Sequence, residues 1–305
     1  MLRRHFHSLV RLLGCEHPLS RRGAAPEQAV QHHQLERPAP AHNPNSRQDP
    51  SLAKSIPLPP EILALIIDHL RDDQAALKAC CLISKLWTPW ARRYLFARVE
   101  FSPTRPFGLW TRAFPEPDDS PAHHTRSLSI RRLDVTTLVD PVVYHYIRAF
   151  DSIEILEVKH RRTDANPLSL APLHGLSPSL KSLHLSFTSL PLSEVFDLIC
   201  SFPLLEDLSM TAISDNGTGG EDIPPTSPSL TGSLYLEIVR GIKPVIRRLC
   251  NLPGGLHFSK IATVCHCNED IESTTDLVSR CSDTLESLDV SHYYPSMSLL
   301  VPVIG

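Results

Sequence analysis

The sequence predicts a fold of mixed α+β and α/β class, in which a module of three short helices precedes a repetitive α/β solenoid. Three observations predict it. Apolar residues are concentrated between positions 58 and 101, where they occupy 26 of 44 positions. From residue 124 onward, strand-like strings recur at spacings of 25 to 28 residues. Helix-like stretches separate most of these strings, for example 141–150, 193–202, 239–250 and 270–281, as expected of stacked strand–helix units.

Composition limits the class of protein. Of the 305 residues, 42% are apolar and 21% are charged, which is typical of a soluble globular chain. The formal net charge of −3 gives no indication of a nucleic acid or a membrane as partner. None of the eight cysteines belongs to a C-x-x-C pair. The sequence therefore predicts reduced thiols and a cytoplasmic or nuclear protein.

Residues 1–55 are rich in Pro, His, Gln, Arg and Ser and are predicted to be disordered. The opening string MLRRHFHSLVRLLG places apolar residues on one helical face, carries three arginines and has no acid before Glu16. That is the form of a mitochondrial transit peptide. A basic tail is the preferred interpretation, and mitochondrial targeting is the alternative.

Residues 56–101 are predicted to form three helices. Pro59 and Pro60 open the first, where a missing N–H costs nothing. Asp72 is expected to cap the second. Thr88-Pro89 is expected to begin the third, because a proline inside a helix costs about 3 kcal/mol. So small a unit cannot enclose all its apolar side chains, so some of them must face another body.

The strings LPPEI (58–62), SKLW (84–87) and RRYLF (92–96) resemble an F-box, most closely the F-box-like modules of fungal F-box proteins. The resemblance implies that these helices bind the helical adaptor subunit of a cullin–RING ubiquitin ligase. It implies an adaptor-binding set of Leu58, Pro59, Ile62, Leu63 and Ile66, with Trp87 and Leu95 shared between core and interface. The alternative is a helical subdomain packed on the rest of the chain.

Residues 102–123 contain five prolines and are predicted to be a linker. Phe107, Trp110 and Phe114 are expected to hold it against a domain.

Residues 124–305 are predicted to form the solenoid. Their strings align on Leu128, Leu156, Leu183, Leu208, Leu236, Ile261 and Leu288. The period and the L-x-x-L-x-L pattern resemble a leucine-rich repeat, with parallel strands inside and helices outside. An ordinary doubly wound α/β sheet is the alternative. The apolar residues 299–305 predict that the solenoid is truncated at its C-terminal end.

Alternation along a strand separates the side chains of this region into two sets. Leu183, Leu185, Leu208 and Leu288 are expected to point into the core. The opposite, concave face is expected to bind a protein target through Ser182, His184, Ser186, Asp207 and Asp289.

No motif indicates catalysis or a cofactor. The glycine-rich string 216–220 does not open a helix, and there is no G-x-S-x-G elbow. Cys265 and Cys267 could share one side of a strand, but a structural zinc site needs four ligands. The sequence therefore predicts no metal, no cofactor and no enzymatic activity.

Taken with the resemblance, the sequence predicts a substrate-recognition adaptor of an SCF-type ubiquitin ligase. One end would bind the ligase's adaptor subunit and the other an unknown protein target. Such a protein acts by tethering, which raises the effective concentration of the target near the conjugating enzyme. The alternatives are a repeat-based interaction scaffold without ligase association and a mitochondrial protein.

Overall fold

The computed structural model describes residues 58–131, 140–160, 170–187, 191–212, 228–238 and 242–292. They form one sheet of eight parallel strands whose spatial order is the chain order. The strands are β1 Arg98–Phe101, β2 Ser127–Arg131, β3 Ile155–His160, β4 Ser182–Phe187, β5 Asp207–Thr211, β6 Ser233–Glu237, β7 Lys260–Cys265 and β8 Ser287–His292. The predicted tail (residues 1–55), which includes the transit-like string, and residues 299–305 lie outside the described residues.

Eight α-helices accompany the sheet in the described part of the chain. They are α1 Pro60–His69, α2 Gln74–Ile83, α3 Thr88–Leu95, α4 Phe107–Ala113, α5 Pro141–Arg148, α6 Leu192–Cys200, α7 Lys243–Cys250 and α8 Asn268–Arg280. Short 3-10 turns occupy Pro117–Asp119, Pro121–His124 and Ala171–Gly175. Among these residues, none of the helices is long and apolar enough to cross a membrane.

Local chemistry sets the helix starts. Asp73 caps α2, where its carboxylate accepts hydrogen bonds from the backbone N–H groups of Ala75 (3.0 Å) and Ala76 (2.9 Å). The cap therefore lies one residue beyond the predicted Asp72. Asp140 caps α5 in the same way, ahead of a proline at the first helical position. The three predicted helices between residues 56 and 101 are present as α1, α2 and α3.

Apolar side chains stack in rungs across the sheet and are buried on every strand but β8. One rung consists of residues in register on adjacent strands: Val99, Leu128, Leu156, Leu183, Leu208, Leu234, Ile261 and Leu288. When the repeated strings were aligned on one another, Leu236 was placed at this position of the sixth strand. That placement is wrong by two residues, because Leu234 occupies it. Leu236 belongs to the next rung, between Met210 and Thr263. Both leucines of β6 are buried, so either position satisfies the local pattern.

The predicted core residues are confirmed on the inner strands. Leu183, Leu185 and Leu208 are all buried. Leu288 is 48% exposed, so its predicted burial is wrong. It lies on β8, which is paired on one side only within the described part of the chain.

Aromatic side chains join the N-terminal helices to the sheet. Trp110 of α4 lies 5.8 Å from Phe96, 5.9 Å from Phe101 and 5.4 Å from Phe150, measured between ring centroids. Phe107, Trp110 and Phe114 are buried, which confirms that they hold segment 102–123 against the fold. One hydrophobic core thereby runs from Ile67 in α1 to Cys281 after α8.

The predicted architecture of a helical module followed by a solenoid is wrong. The described residues form a single α/β fold on one all-parallel sheet, and β1, at the end of the supposed module, is the first strand of that sheet. The physical reason lies in the repeat period. Every parallel pair requires a crossover connection, and crossovers of similar length produce a regular spacing in any such sheet. The spacing predicted the strands but not the architecture.

Candidate functional site

Helix α1 leaves part of its apolar surface uncovered. Leu63 and Ile67 are buried against the core, one helical turn apart. Ile62 and Leu65 are exposed and lie three residues apart, which places them on a common face of α1; Leu58, also exposed, precedes the helix by two residues. The apolar positions of α1 therefore form two stripes, of which the fold covers one.

A second exposed group lies at the end of α2 and in the turn that follows it. Leu82, Ile83 and Leu86 are exposed, while Leu77 and Cys80 of the same helix are buried. We refer to the six exposed side chains of this region as the apolar surface; they are between 42% and 73% exposed, and they are Leu58, Ile62, Leu65, Leu82, Ile83 and Leu86. Four of them lie on α1 and α2, which both pack on α3, while Leu58 precedes α1 and Leu86 follows α2.

The predicted adaptor-binding residues fall into three groups, which are exposed, partly buried and buried. Leu58, Pro59 and Ile62 are exposed, and Ile66 and Trp87 are partly buried. Leu63 and Leu95 are buried in the fold, which removes them from the accessible surface. Sequence reasoning did not select Leu65, Leu82, Ile83 and Leu86. The sequence did show a surplus of apolar residues between positions 58 and 101. That surplus means that some apolar side chains are exposed, but it does not identify them.

The side chains opposite the buried rungs form what we call the polar sheet face. Its central row, one residue from each strand, is Glu100, Ser129, Glu157, His184, Ser209, Tyr235, Ala262 and Asp289. Flanking rows place Ser182 opposite Asp207 and Ser186 opposite Thr211. All five predicted target-binding residues thus lie on this face. Asp289 is four strands from His184, or about 19 Å at the usual strand separation.

Ser182, His184 and Asp207 are close together but do not form a catalytic triad. Ser182 Oγ and His184 Nε2 share a hydrogen bond of 3.1 Å. The Asp207 carboxylate instead accepts hydrogen bonds from the N–H (2.8 Å) and hydroxyl (2.6 Å) of Ser233. A triad needs that carboxylate on the histidine, where it orients the ring. The arrangement offers hydrogen-bonding groups to a partner rather than an activated nucleophile.

Glycine at position 232 permits the Asp207–Ser233 contact. A Cβ atom at Gly232 would lie 2.6 Å from Asp207 Oδ1. The backbone can approach the carboxylate closely only because no side chain is present. Part of the hydrogen-bonding capacity of the Asp207 carboxylate is therefore used to connect β5 to Ser233 of β6.

A network of charges covers the polar sheet face between β1 and β3. Glu157 contacts Lys159, accepts a hydrogen bond from Ser129 and pairs with Arg131 at 3.4 Å. Arg131 also lies 3.6 Å from Glu100. Burial raises the pKa of the Glu157 carboxyl, but the Lys159 and Ser129 hydrogen bonds and the neighbouring cations outweigh it and hold the pKa below its ordinary value. These charges largely satisfy one another.

The Cys265–Cys267 pair does not share one side of a strand. Cys265, the last residue of β7, is buried with its Sγ 3.7 Å from Thr274 Oγ1. Cys267 is exposed at the N-cap of α8, beyond the strand end. Within the described ranges, no group of three or more His, Cys, Asp or Glu side chains has the arrangement of a metal site.

A scan of the chain against models of protein families finds no match, and a search of curated proteins finds none either.

Proposed function

We propose that this chain is a substrate-recognition subunit of a cullin–RING ubiquitin ligase. The apolar surface binds the helical adaptor subunit of the ligase, and the polar sheet face binds a protein target. The observation that carries the proposal is the exposure of the apolar surface within the segment whose sequence resembles an F-box. Six exposed apolar side chains within residues 58–86 favour an interaction site in this segment.

Energetics support a partner at this surface. Complete burial of a Leu or Ile side chain stabilises by about 1.5–3 kcal/mol relative to leaving it exposed. The six are 42–73% exposed, so each gains only part of that value, and their sum is of the same order as the cost of association, about 4–15 kcal/mol. The helical partner contributes its own apolar face, as when an amphipathic helix binds in a groove.

The second half of the proposal concerns the target. The polar sheet face presents hydroxyls, His184 and Tyr235 across adjacent strands, and side chains of these types hydrogen-bond protein partners. Binding at both surfaces would hold a target lysine near the charged conjugating enzyme, which raises its effective concentration. The chain itself forms and breaks no bond in this mechanism.

The test is the affinity of the full-length protein for a purified adaptor subunit. Ile62→Asp combined with Leu65→Asp places two charges on the apolar surface, and desolvating each costs several kcal/mol. We expect binding to weaken at least ~100-fold, about 2.8 kcal/mol. The matched control is Val142→Asp combined with Leu204→Asp, two exposed apolar residues elsewhere, which should leave the affinity unchanged.

Unchanged affinity of the folded Ile62→Asp/Leu65→Asp protein would contradict the proposal. Failure of the wild-type chain to bind the adaptor would also contradict it. Target binding without adaptor binding would instead support the interaction scaffold without ligase association.

A further inference from the structure

Helices α7 and α8 border a groove of about 610 Å³, which we call the α7–α8 groove. It lies apart from both surfaces described above, since none of its lining residues belongs to them. Its volume is within the roughly 300–1,000 Å³ typical of ligand-binding clefts.

The charge of the groove is opposite to that of the chain. Among the described residues that line it, Lys243, Arg247 and Arg280 are cations and Asp276 is the one acid, so three cations less one anion leave a net charge of +2. The whole chain carries −3. All four side chains are exposed. Complementarity of charge therefore favours an acidic partner.

The cations are distributed along the groove. Lys243 and Arg247 are four residues apart in α7, a rise of about 6 Å along the helix. Arg280 Nη1 donates a hydrogen bond to the carbonyl of Cys250 (3.1 Å), which places its guanidinium beside the other end of α7. That end is about 10 Å from Lys243 along the axis. In an extended peptide, alternate residues are about 6.6 Å apart, close to the spacing of the first two cations.

We propose that the α7–α8 groove docks an extended acidic segment of a partner protein, with carboxylates at alternate positions. Arginine favours this ligand because its guanidinium can bind a carboxylate with two parallel hydrogen bonds. Nucleic acid fits less well. Among the described residues that line the groove none is aromatic, so bases would find no surface on which to stack.

The experiment uses the full-length protein and a fluorescent peptide of alternating glutamate and glycine, with binding followed by fluorescence anisotropy. Lys243→Glu combined with Arg247→Glu should weaken binding at least ~10-fold. Asp276→Asn removes the one facing acid and should strengthen binding by about threefold. The matched control is Arg112→Glu with Arg148→Glu, two exposed residues outside the groove and both surfaces, which changes the net charge equally and should alter binding by less than about twofold.

Three results would overturn the proposal. The control could weaken binding as much as the groove variant does. A glutamine–glycine peptide could bind equally well. A single-stranded oligonucleotide of matched charge could bind more tightly than the acidic peptide. If urea denaturation shows that the double variant is not folded, two single variants replace it. Lys243→Gln must then weaken peptide binding, and Asp276→Asn must strengthen it.

Discussion

Helices α1 and α7 are short, and both have a proline within their first two positions, yet they distribute their apolar side chains differently. In α7 the apolar residues Val245, Ile246 and Leu249 are all buried, and its cations lie outside. In α1 two apolar residues are buried, while Ile62 and Leu65 remain exposed.

The difference shows which of the two helices has its apolar side chains covered by the rest of the same chain. The apolar residues of α7 form one stripe, and one stripe can be covered by one neighbouring layer. Those of α1 extend around more of the helix than a single layer can cover. Packing within the chain therefore accounts for the positions of the apolar residues in α7. The exposed apolar residues of α1 remain available to a second protein.

The sharpest test of this contrast truncates one leucine in each helix. Leu249→Ala in α7 should lower the free energy of unfolding by about 2–5 kcal/mol, through lost burial and the cavity left behind. Leu65→Ala in α1 should change it by no more than about 0.5 kcal/mol. Urea denaturation of both variants measures the difference. Equal losses would show that α1 is covered as completely as α7.

The same contrast can be tested on two neighbours within one strand. Leu183→Ala on β4 should cost about 2–5 kcal/mol, because Leu183 is fully buried. His184→Ala, on the polar sheet face, should cost about 1 kcal/mol or less, the typical worth of its one hydrogen bond to Ser182. Similar losses in paired urea melts would be incompatible with the observed division of the two faces.

A smaller effect on the free energy of unfolding is expected at Asp270 of α8, which hydrogen-bonds the backbone at the start of α7. Asp270 is 1% exposed, and its carboxylate accepts hydrogen bonds from the backbone N–H groups of Ile242 (3.2 Å), His266 (2.9 Å) and Cys267 (3.2 Å). Asp270→Asn should therefore cost about 1–3 kcal/mol at neutral pH.

The pH dependence of this loss has a definite sign. Burial raises the pKa of Asp270, but the backbone hydrogen bonds outweigh it and lower the pKa below its ordinary value. Its contribution is then fully present above the unfolded pKa of about 3.9 and is lost as the pH falls through the folded value. Urea melts at neutral pH and below pH ~4 should show the gap between wild type and Asp270→Asn narrowing in acid. A gap that does not change with pH would contradict the hydrogen-bonding role of the carboxylate.

Much of the local structure could be predicted from the sequence. Strands β2 to β8 each overlap a predicted string, and α5 to α8 overlap the predicted helical stretches. Periodicity suffices there because a covered face imposes it on the sequence. Strand β1 was missed because its four residues follow α3 closely; they alternate between exposed and buried, but so short an alternation was assigned to the helical segment before it.

What could not be predicted depends on neighbours distant in sequence. Leu234 and Leu236 fit the strand pattern equally well, and only pairing with β5 and β7 distinguishes them. Leu288 has the same local pattern as Leu183, yet the two differ in burial. In α1, the pattern could not show that Leu63 is covered while Leu65 is exposed. The wrong architecture has the same origin, since a period does not specify how units pack.

The most direct measurement of the proposed role is the heat capacity change when the full-length protein binds the purified adaptor subunit. Burial of the apolar surface should give a clearly negative value, because removing apolar area from water lowers the heat capacity. Calorimetric titrations at several temperatures supply it. The Ile62→Asp/Leu65→Asp variant should show little or no binding heat. Binding by the wild type with a heat capacity change near zero, or an unaltered value in the variant, would contradict a partner at the apolar surface.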